Sequence, residues 1–276
     1  MTEYVRKFRE DMIQPLTSEQ LEHFREQGFL ILKSAAVSAF QADMEETIRQ
    51  ISLRLLRKIG VDIGPLEGMS YDALVKWCYD NEKDSEYTRL FYEMYPTMAE
   101  VIATIAHPLP TWLAKSVGIT SPIPITLPAV RVDRPGNTRY MTNPHQDYWY
   151  SLLCDNSVVI WFPLVSIDRD MGLLGVVPGS HKDGFQPFSE APDGCTFTMR
   201  NDYPESSYVE ASIGKDEILI FNQFLVHRSG YNNGKMPRMT MQLRFNDLDT
   251  MDGVKQTFVA ISSPYVVQRQ KELLAN

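Results

Sequence analysis

Cysteine is scarce in this chain, with three in 276 residues, Cys78, Cys154 and Cys195, odd in number and far apart. They form no CxxC pair and no disulfide framework, which points to a reducing cytoplasm. The opening MTEYVRKFREDM mixes both charges and has no apolar stretch of the kind a signal peptide needs. No apolar run approaches the roughly 18 residues of a membrane span. Positive charge is in deficit, with 27 Lys and Arg against 35 Asp and Glu and a formal net charge of −8. That balance argues against nucleic acid as a partner, because binding it needs a clustered basic face. Glycine-rich phosphate loops, zinc-finger spacings, internal repeats and low-complexity tracts are also missing. Histidine is sparse at five residues, so each can be weighed singly.

What is present is an ordinary globular composition, 43% hydrophobic and 11% aromatic. Its periodicity changes near residue 120. Before that point the spacing predicts helices. One starts at Thr17 or Ser18 and ends at Gly28, one covers about 37–59, and one covers about 85–105 with Pro96 to kink or divide it. A short buried strand, Phe29-Leu30-Ile31-Leu32, separates the first two. From Pro122 onward short β-rich runs alternate with turns, at about 127–133, 157–166, 173–177, 207–211, 217–221, 238–246 and 257–261. Strands of this length and spacing predict a sandwich or barrel, and a surface helix at about 266–274 closes the chain. The expected organisation is a single domain over 1–276. It has a mainly helical region at 1–120, a β core at 121–262 and a C-terminal helix at 263–276.

His145-Gln146-Asp147 carries the sharpest chemical signal. In an extended strand residues i and i+2 share a face, so His145 and Asp147 can converge on one ion while Gln146 turns away. His227, far downstream, supplies a second imidazole. Two His and one carboxylate on one face of an octahedral ion leave three positions open, the arrangement of non-haem Fe(II) oxygenases. A lone His in a β-rich chain is more often a hydrogen-bonded core or surface residue, so the flanking residues decide. They are Asn143-Pro144 before His145, Trp161-Phe162-Pro163-Leu164, Pro178-Gly179-Ser180-His181-Lys182, His227-Arg228-Ser229-Gly230, and Arg238 eleven residues after His227.

In this order and spacing, these segments resemble the phytanoyl-CoA dioxygenase family of Fe(II)/2-oxoglutarate oxygenases, most clearly over about 127–247. The resemblance implies an α+β fold, a double-stranded β-helix (cupin-like jelly roll) with N-terminal helices packed on it. It also implies a metal triad of His145, Asp147 and His227, with Fe(II), 2-oxoglutarate and O2 as the reacting set. Arg238 matches the position that holds the distal carboxylate of 2-oxoglutarate, where a permanently charged fork pairs bidentately. Ser229 matches a hydroxyl of the same pocket, and Thr240 lies two residues along the strand from Arg238. Trp161 falls where the family places an aromatic near the cosubstrate, with core packing as the alternative. Related halogenases carry a small residue at the position of Asp147, so the carboxylate here implies oxygen insertion. The implied reaction hydroxylates an unactivated C–H bond of a small molecule and releases succinate and CO2.

For the substrate, Trp149 continues the i, i+2 series, and one of Arg131, Arg134, Arg139 and Arg244 could hold a carboxylate, phosphate or phosphonate. Arg139 is preferred because it lies just upstream of the His-Gln-Asp segment; core packing and solvated charge are the bland readings. Arg131 and Asp133 share a strand face and are expected to pair with each other. His23, His107 and His181 are read as a surface residue, part of a helix-ending turn and part of a structural turn. Two other classes stay open. One is a cupin-like protein that binds a metal or small ligand without turnover, which has no need of Arg238. The other is a metal-dependent hydrolase or isomerase working without dioxygen. Within the family, desaturation, epimerisation and ring formation are alternatives to hydroxylation.

Overall fold

The computed structural model describes residues 12–81, 87, 89, 91, 94–138, 141–151, 154–190, 197–251 and 271. Helix α1 (Ser18–Gln27) begins with a capping box. The Gln20 amide donates to Thr17 Oγ1 at 3.2 Å and the Thr17 amide to Gln20 Oε1 at 2.8 Å. Gly28 stops the helix at φ 80°. A Cβ there would lie 2.4 Å from His181 Nδ1, so both the backbone angle and the packed imidazole demand glycine. Strand β1 (Phe29–Leu32) follows, then α2 (Ala35–Lys58), whose Ser34 cap accepts from the Val37 amide. Phe40, Met44, Ile48, Ile51 and Leu55 of α2 are buried, as their spacing requires.

Two helices lie outside the expected set, α3 (Tyr71–Asp80), capped by Ser70, and the helix Pro108–Ser116. The expected helix over 85–105 is divided. Its described end contains a 3-10 turn at Tyr95–Thr97, an extended Met98 and a short helix at Ala99–Ile102. Pro96 sits at the start of that turn, where its missing N–H costs no hydrogen bond. His107 opens a helix instead of ending one, because its Nδ1 accepts the Leu109 amide at 3.1 Å. The expected strand at 257–261 lies outside the described residues, as does the expected helix at 266–274 except for Lys271, which is helical. No helix among the described residues is long and apolar enough to cross a membrane.

The remaining strands are β2 (Pro122–Pro124), β3 (Ala129–Asp133), β4 (Ser157–Pro163), β5 (Leu174–Val176), β6 (Phe188–Glu190), β7 (Phe197–Met199), β8 (Val209–Ala211), β9 (Ile218–Asn222), β10 (His227–Arg228) and β11 (Arg238–Asp247). A six-stranded antiparallel sheet runs β1-β9-β4-β11-β2, with β3 also pairing β11. A smaller sheet runs β10-β5-β8, and β6 pairs with β7. The architecture is α+β, a double-stranded β-helix with helices packed on its larger sheet.

Period-two alternation sorts the large sheet into two buried faces. Met239, Met241, Leu243 and Phe245 of β11 join Ile160 and Phe162 of β4 and Ile218 and Ile220 of β9 in one cluster with the α2 side chains. Val159, Trp161, Leu219 and Phe221 point the other way, into a second cluster shared with Leu174 and Val176 of the small sheet. Burial on both faces explains why these strands read as nearly unbroken apolar runs. On β11 the inner face is polar instead, and that exception makes the site.

Candidate metal site

His145 and His227 meet across an isolated antiparallel bridge, and the amide of each donates to the carbonyl of the other at 3.0 Å. His227 also begins β10, which Val176 and Gly175 of β5 hold in register. Each imidazole faces a carbonyl two residues back, His145 Nδ1 at 2.8 Å from Asn143 O and His227 Nδ1 at 3.0 Å from Leu225 O. A ring nitrogen against a carbonyl carries the proton, which leaves the Nε2 lone pair for a metal. His145 Nε2 lies 3.8 Å from Asp147 Oδ1. Ligand atoms of His145, Asp147 and His227 all lie within 4.8 Å of one another, and all three residues are buried.

Electrostatics set the protonation states. Burial, and then His227, push the His145 imidazole down to about 3. Burial lowers His227 as well. For Asp147 burial acts to raise the pKa, but the Arg244 guanidinium and then the two imidazoles outweigh it and hold the carboxyl at about 2. Two neutral imidazoles and one ionised carboxylate are the states a divalent ion needs in its ligands. The donor set fits the iron implied by the sequence.

The chain does not stay extended through this segment. After His145 it turns into a short helix, Tyr148–Ser151, with the Trp149 amide bonded to Gln146 O and the Tyr150 amide to Asp147 O. This corrects the strand spacing on which the expectation for Trp149 was based. Its side chain is fully buried, its ring centroid 6.4 Å from that of His145, stacked on Phe188 with centroids 4.9 Å apart, and its Nε1 donates to Gln186 O at 3.1 Å. Helical spacing brings Tyr150 to the cavity in its place. Gln146 turns away as expected, its Nε2 donating to Gly184 O at 2.9 Å and to Phe224 O at 2.6 Å.

A cavity of about 200 Å³ adjoins the three metal-ligand candidates. The inner face of β11 supplies Arg238, Thr240, Gln242 and Arg244 to it, all in step at i, i+2. Trp161 lines it too, while packing in the second apolar cluster. Arg238 is buried and donates through Nη2 at 2.8 Å and Nε at 3.2 Å to Asp133 Oδ2. Arg131 Nη2 reaches Oδ1 of the same carboxylate at 3.0 Å. The Arg131–Asp133 pair is therefore present, but Asp133 is shared, and sequence reasoning missed its link to Arg238. Burial works to raise the Asp133 pKa, and Arg131 followed by Arg238 override it. Ser229 Oγ lies 2.7 Å from Thr142 Oγ1, and both line the cavity. Gly230 lets the backbones close here, since a Cβ would stand 2.3 Å from Leu173 O. Arg139 lies outside the described residues.

His23 lies exposed on α1, edge-on to Phe29. His181 is structural, its Nε2 at 3.0 Å from Arg25 O where the Pro178–Lys182 turn docks on the end of α1.

The family model described as phytanoyl-CoA dioxygenase (PhyH) matches residues 24–240. The chain belongs to the phytanoyl-CoA dioxygenase family. Peroxisomal phytanoyl-CoA dioxygenase of Bos taurus is 25% identical over 250 residues, covering 84% of this chain and 69% of the relative. The Homo sapiens protein is 24% identical over 252 residues, with 85% and 69% covered. Among solved structures, the non-haem monooxygenase ThoJ in its apo form superposes with a TM-score of 0.55 at 14% identity, over 93% of this chain and 97% of that one. The epimerase SnoN, in complex with Fe3+, α-ketoglutarate and nogalamycin RO, gives 0.55 at 15% identity over 90% and 88%. EvdO2 from Micromonospora carbonacea var. aurantiaca, complexed with 2-oxoglutarate, gives 0.54 at 18% over 88% and 95%. At these identities the likeness shows a shared fold. As a member of the phytanoyl-CoA dioxygenase family, the protein is an iron- and 2-oxoglutarate-dependent non-haem oxygenase that uses dioxygen.

Proposed function

We propose that this protein hydroxylates an unactivated C–H bond of a small molecule. Its iron would be held by His145, Asp147 and His227, and its 2-oxoglutarate by Arg238. The observation that carries the reading is the coincidence of two features in one cavity. A buried set of two imidazoles and one carboxylate lies beside a buried guanidinium on β11 of the larger sheet. A protein that merely binds a metal has no use for the second feature.

The chain's own groups have defined tasks in this reading. The carbonyls of Asn143 and Leu225 fix the imidazole tautomers and aim both Nε2 atoms inward. Asp133 holds Arg238 and Arg131 in place so that their forks need no rearrangement when a carboxylate arrives. Ser229 and Thr142 add hydroxyl donors, Thr240 extends the same wall, and Trp161 closes the cavity with an apolar surface. With iron and 2-oxoglutarate bound, the oxidising power would come from dioxygen, one oxygen atom going to the succinate formed as CO2 is lost and the other to the substrate. The walls orient the substrate and limit water, which keeps that power on one bond.

The test is an anaerobic mixture of protein, Fe(II) and 2-oxoglutarate, which should develop a weak visible charge-transfer band. Admitting air with a library of small molecules should then release succinate and give a product one oxygen atom heavier than its substrate. A product of unchanged mass, or one lighter by two hydrogens, would point to epimerisation, desaturation or ring closure. No band and no succinate would leave a binding protein as the reading.

A further inference from the structure

Among the described residues, the charges lining the cavity do not cancel once iron and cosubstrate are in place. Its described lining carries three guanidiniums, Arg131, Arg238 and Arg244, and two carboxylates, Asp133 and Asp147. Asp133 bridges Arg131 and Arg238, so that cluster offers one net positive charge, which the distal carboxylate of 2-oxoglutarate balances. At the metal end, a divalent ion is balanced by Asp147 and the proximal carboxylate. Arg244 remains. Its side chain is 12% exposed, and a cation so placed is costly without a counter-ion.

Arg244 is also aimed. Its Nη2 donates to Gln242 Oε1 at 2.5 Å, which fixes the fork from its own strand. Its contacts to Asp147 are long for a charge-assisted pair, Nε to Oδ2 at 3.3 Å and Nη2 to Oδ1 at 3.1 Å. Among the described residues Nη1 has no acceptor. Tyr150 lines the same cavity, its ring edge-on to His145 with centroids 5.9 Å apart. Arg244 falls beyond residues 24–240, the stretch matched by the family model.

We infer that Arg244 is the counter-ion of the substrate, which is a small molecule bearing an oxyanion, a carboxylate or a phosphate-type group. The anion is held at the metal end of the cavity, close to the bond that is oxidised. Guanidinium geometry suits both groups, since each presents two oxygens to a planar fork. This assignment rests on the oxygenase reading above.

The experiment uses the anaerobic holoprotein with Fe(II) and saturating 2-oxoglutarate. Acetate, inorganic phosphate and methylphosphonate are titrated in, with acetamide as the neutral match for acetate. At least one anion should shift the charge-transfer band saturably without eroding it, while acetamide does nothing. Arg244→Gln should weaken that response at least tenfold, and Arg244→Lys, which keeps the charge but loses the fork, should weaken it less. An equal response in wild type and Arg244→Gln overturns the inference. Erosion of the band by the anions, reversed by more 2-oxoglutarate, also overturns it by assigning their binding to the cosubstrate pocket. If Arg244→Gln and Arg244→Lys both form no band before any anion is added, Arg244 serves Asp147 and not a substrate. Failure of the wild-type protein to form the band sinks the oxygenase reading first, and this one with it.

Discussion

His145 and His227 exchange two backbone hydrogen bonds of 3.0 Å, and their imidazole centroids stand 4.1 Å apart. This backbone bridge therefore sets the spacing between two of the three candidate metal ligands. Nothing in the side chains has to find that distance, which is how a site on rigid elements is pre-organised.

His145→Ala, Asp147→Ala or His227→Ala should lower succinate release at least a hundredfold and weaken anaerobic Fe(II) binding, read by calorimetry. Chelation of the metal should mimic them and be reversed by Fe(II). Full turnover in the Asp147→Ala protein would reject the ligand assignment.

Arg238→Ala should act mainly on the cosubstrate, raising the KM for 2-oxoglutarate about tenfold or more. Asp133→Ala is a different lesion, because it leaves two guanidiniums facing each other across a buried gap. Loss of one partner of a buried ion pair costs about 3–5 kcal/mol, so its urea midpoint should fall sharply. An Asp133→Ala protein as stable as wild type would show that solvent reaches the cluster.

Trp149 and Tyr150 should part company. Trp149→Ala removes a fully buried indole stacked on Phe188 and should cost about 3–5 kcal/mol of stability. Tyr150→Phe keeps the ring, loses the hydroxyl's hydrogen bond to the Phe197 backbone and should cost only about 0.5–1.5 kcal/mol of stability, while changing substrate kinetics. The opposite pattern would restore Trp149 as the substrate wall.

His107 makes stability depend on pH. Burial beside Phe40 pushes its imidazole down to about 4, and its Nδ1 lone pair caps the Leu109 amide. The unfolded chain binds this proton near 6.5, so the contribution is full above pH 6.5 and is lost as pH falls towards 4. With the ring half-exposed, about 1–2 kcal/mol is expected after allowing for solvent screening. His107→Asn keeps a capping acceptor and should flatten that part of the curve, measured by urea denaturation at pH 7 and pH 5. An unchanged slope would place the titration elsewhere.

Much of the fold is legible in local pattern. The capping box at Thr17, the stop at Gly28, the face of α2 and most strands follow from short-range rules, because caps, turns and periodicity act over a few residues. The alternation on β11 was legible in the same way, and extending it from Arg238 and Thr240 reaches Gln242 and Arg244. Trp149 went wrong because strand spacing was carried past Asp147 into a helical turn, where the face repeats at three residues and not two.

The chain's residues alone settled the chemistry available to this protein: two imidazoles, one carboxylate and a guanidinium in the order of the phytanoyl-CoA dioxygenase family. Side-chain types and spacings are local properties, so they survive in one dimension. Tertiary structure alone decided that Asp133 belongs to Arg238, that Arg244 stands against Asp147, and that Tyr150 lines the cavity. Those relationships join β3 to β11, and β11 to the turn after His145, through strand register and burial. They exist only after residues roughly a hundred positions apart have been brought together, where low dielectric makes each charge answer to its neighbours.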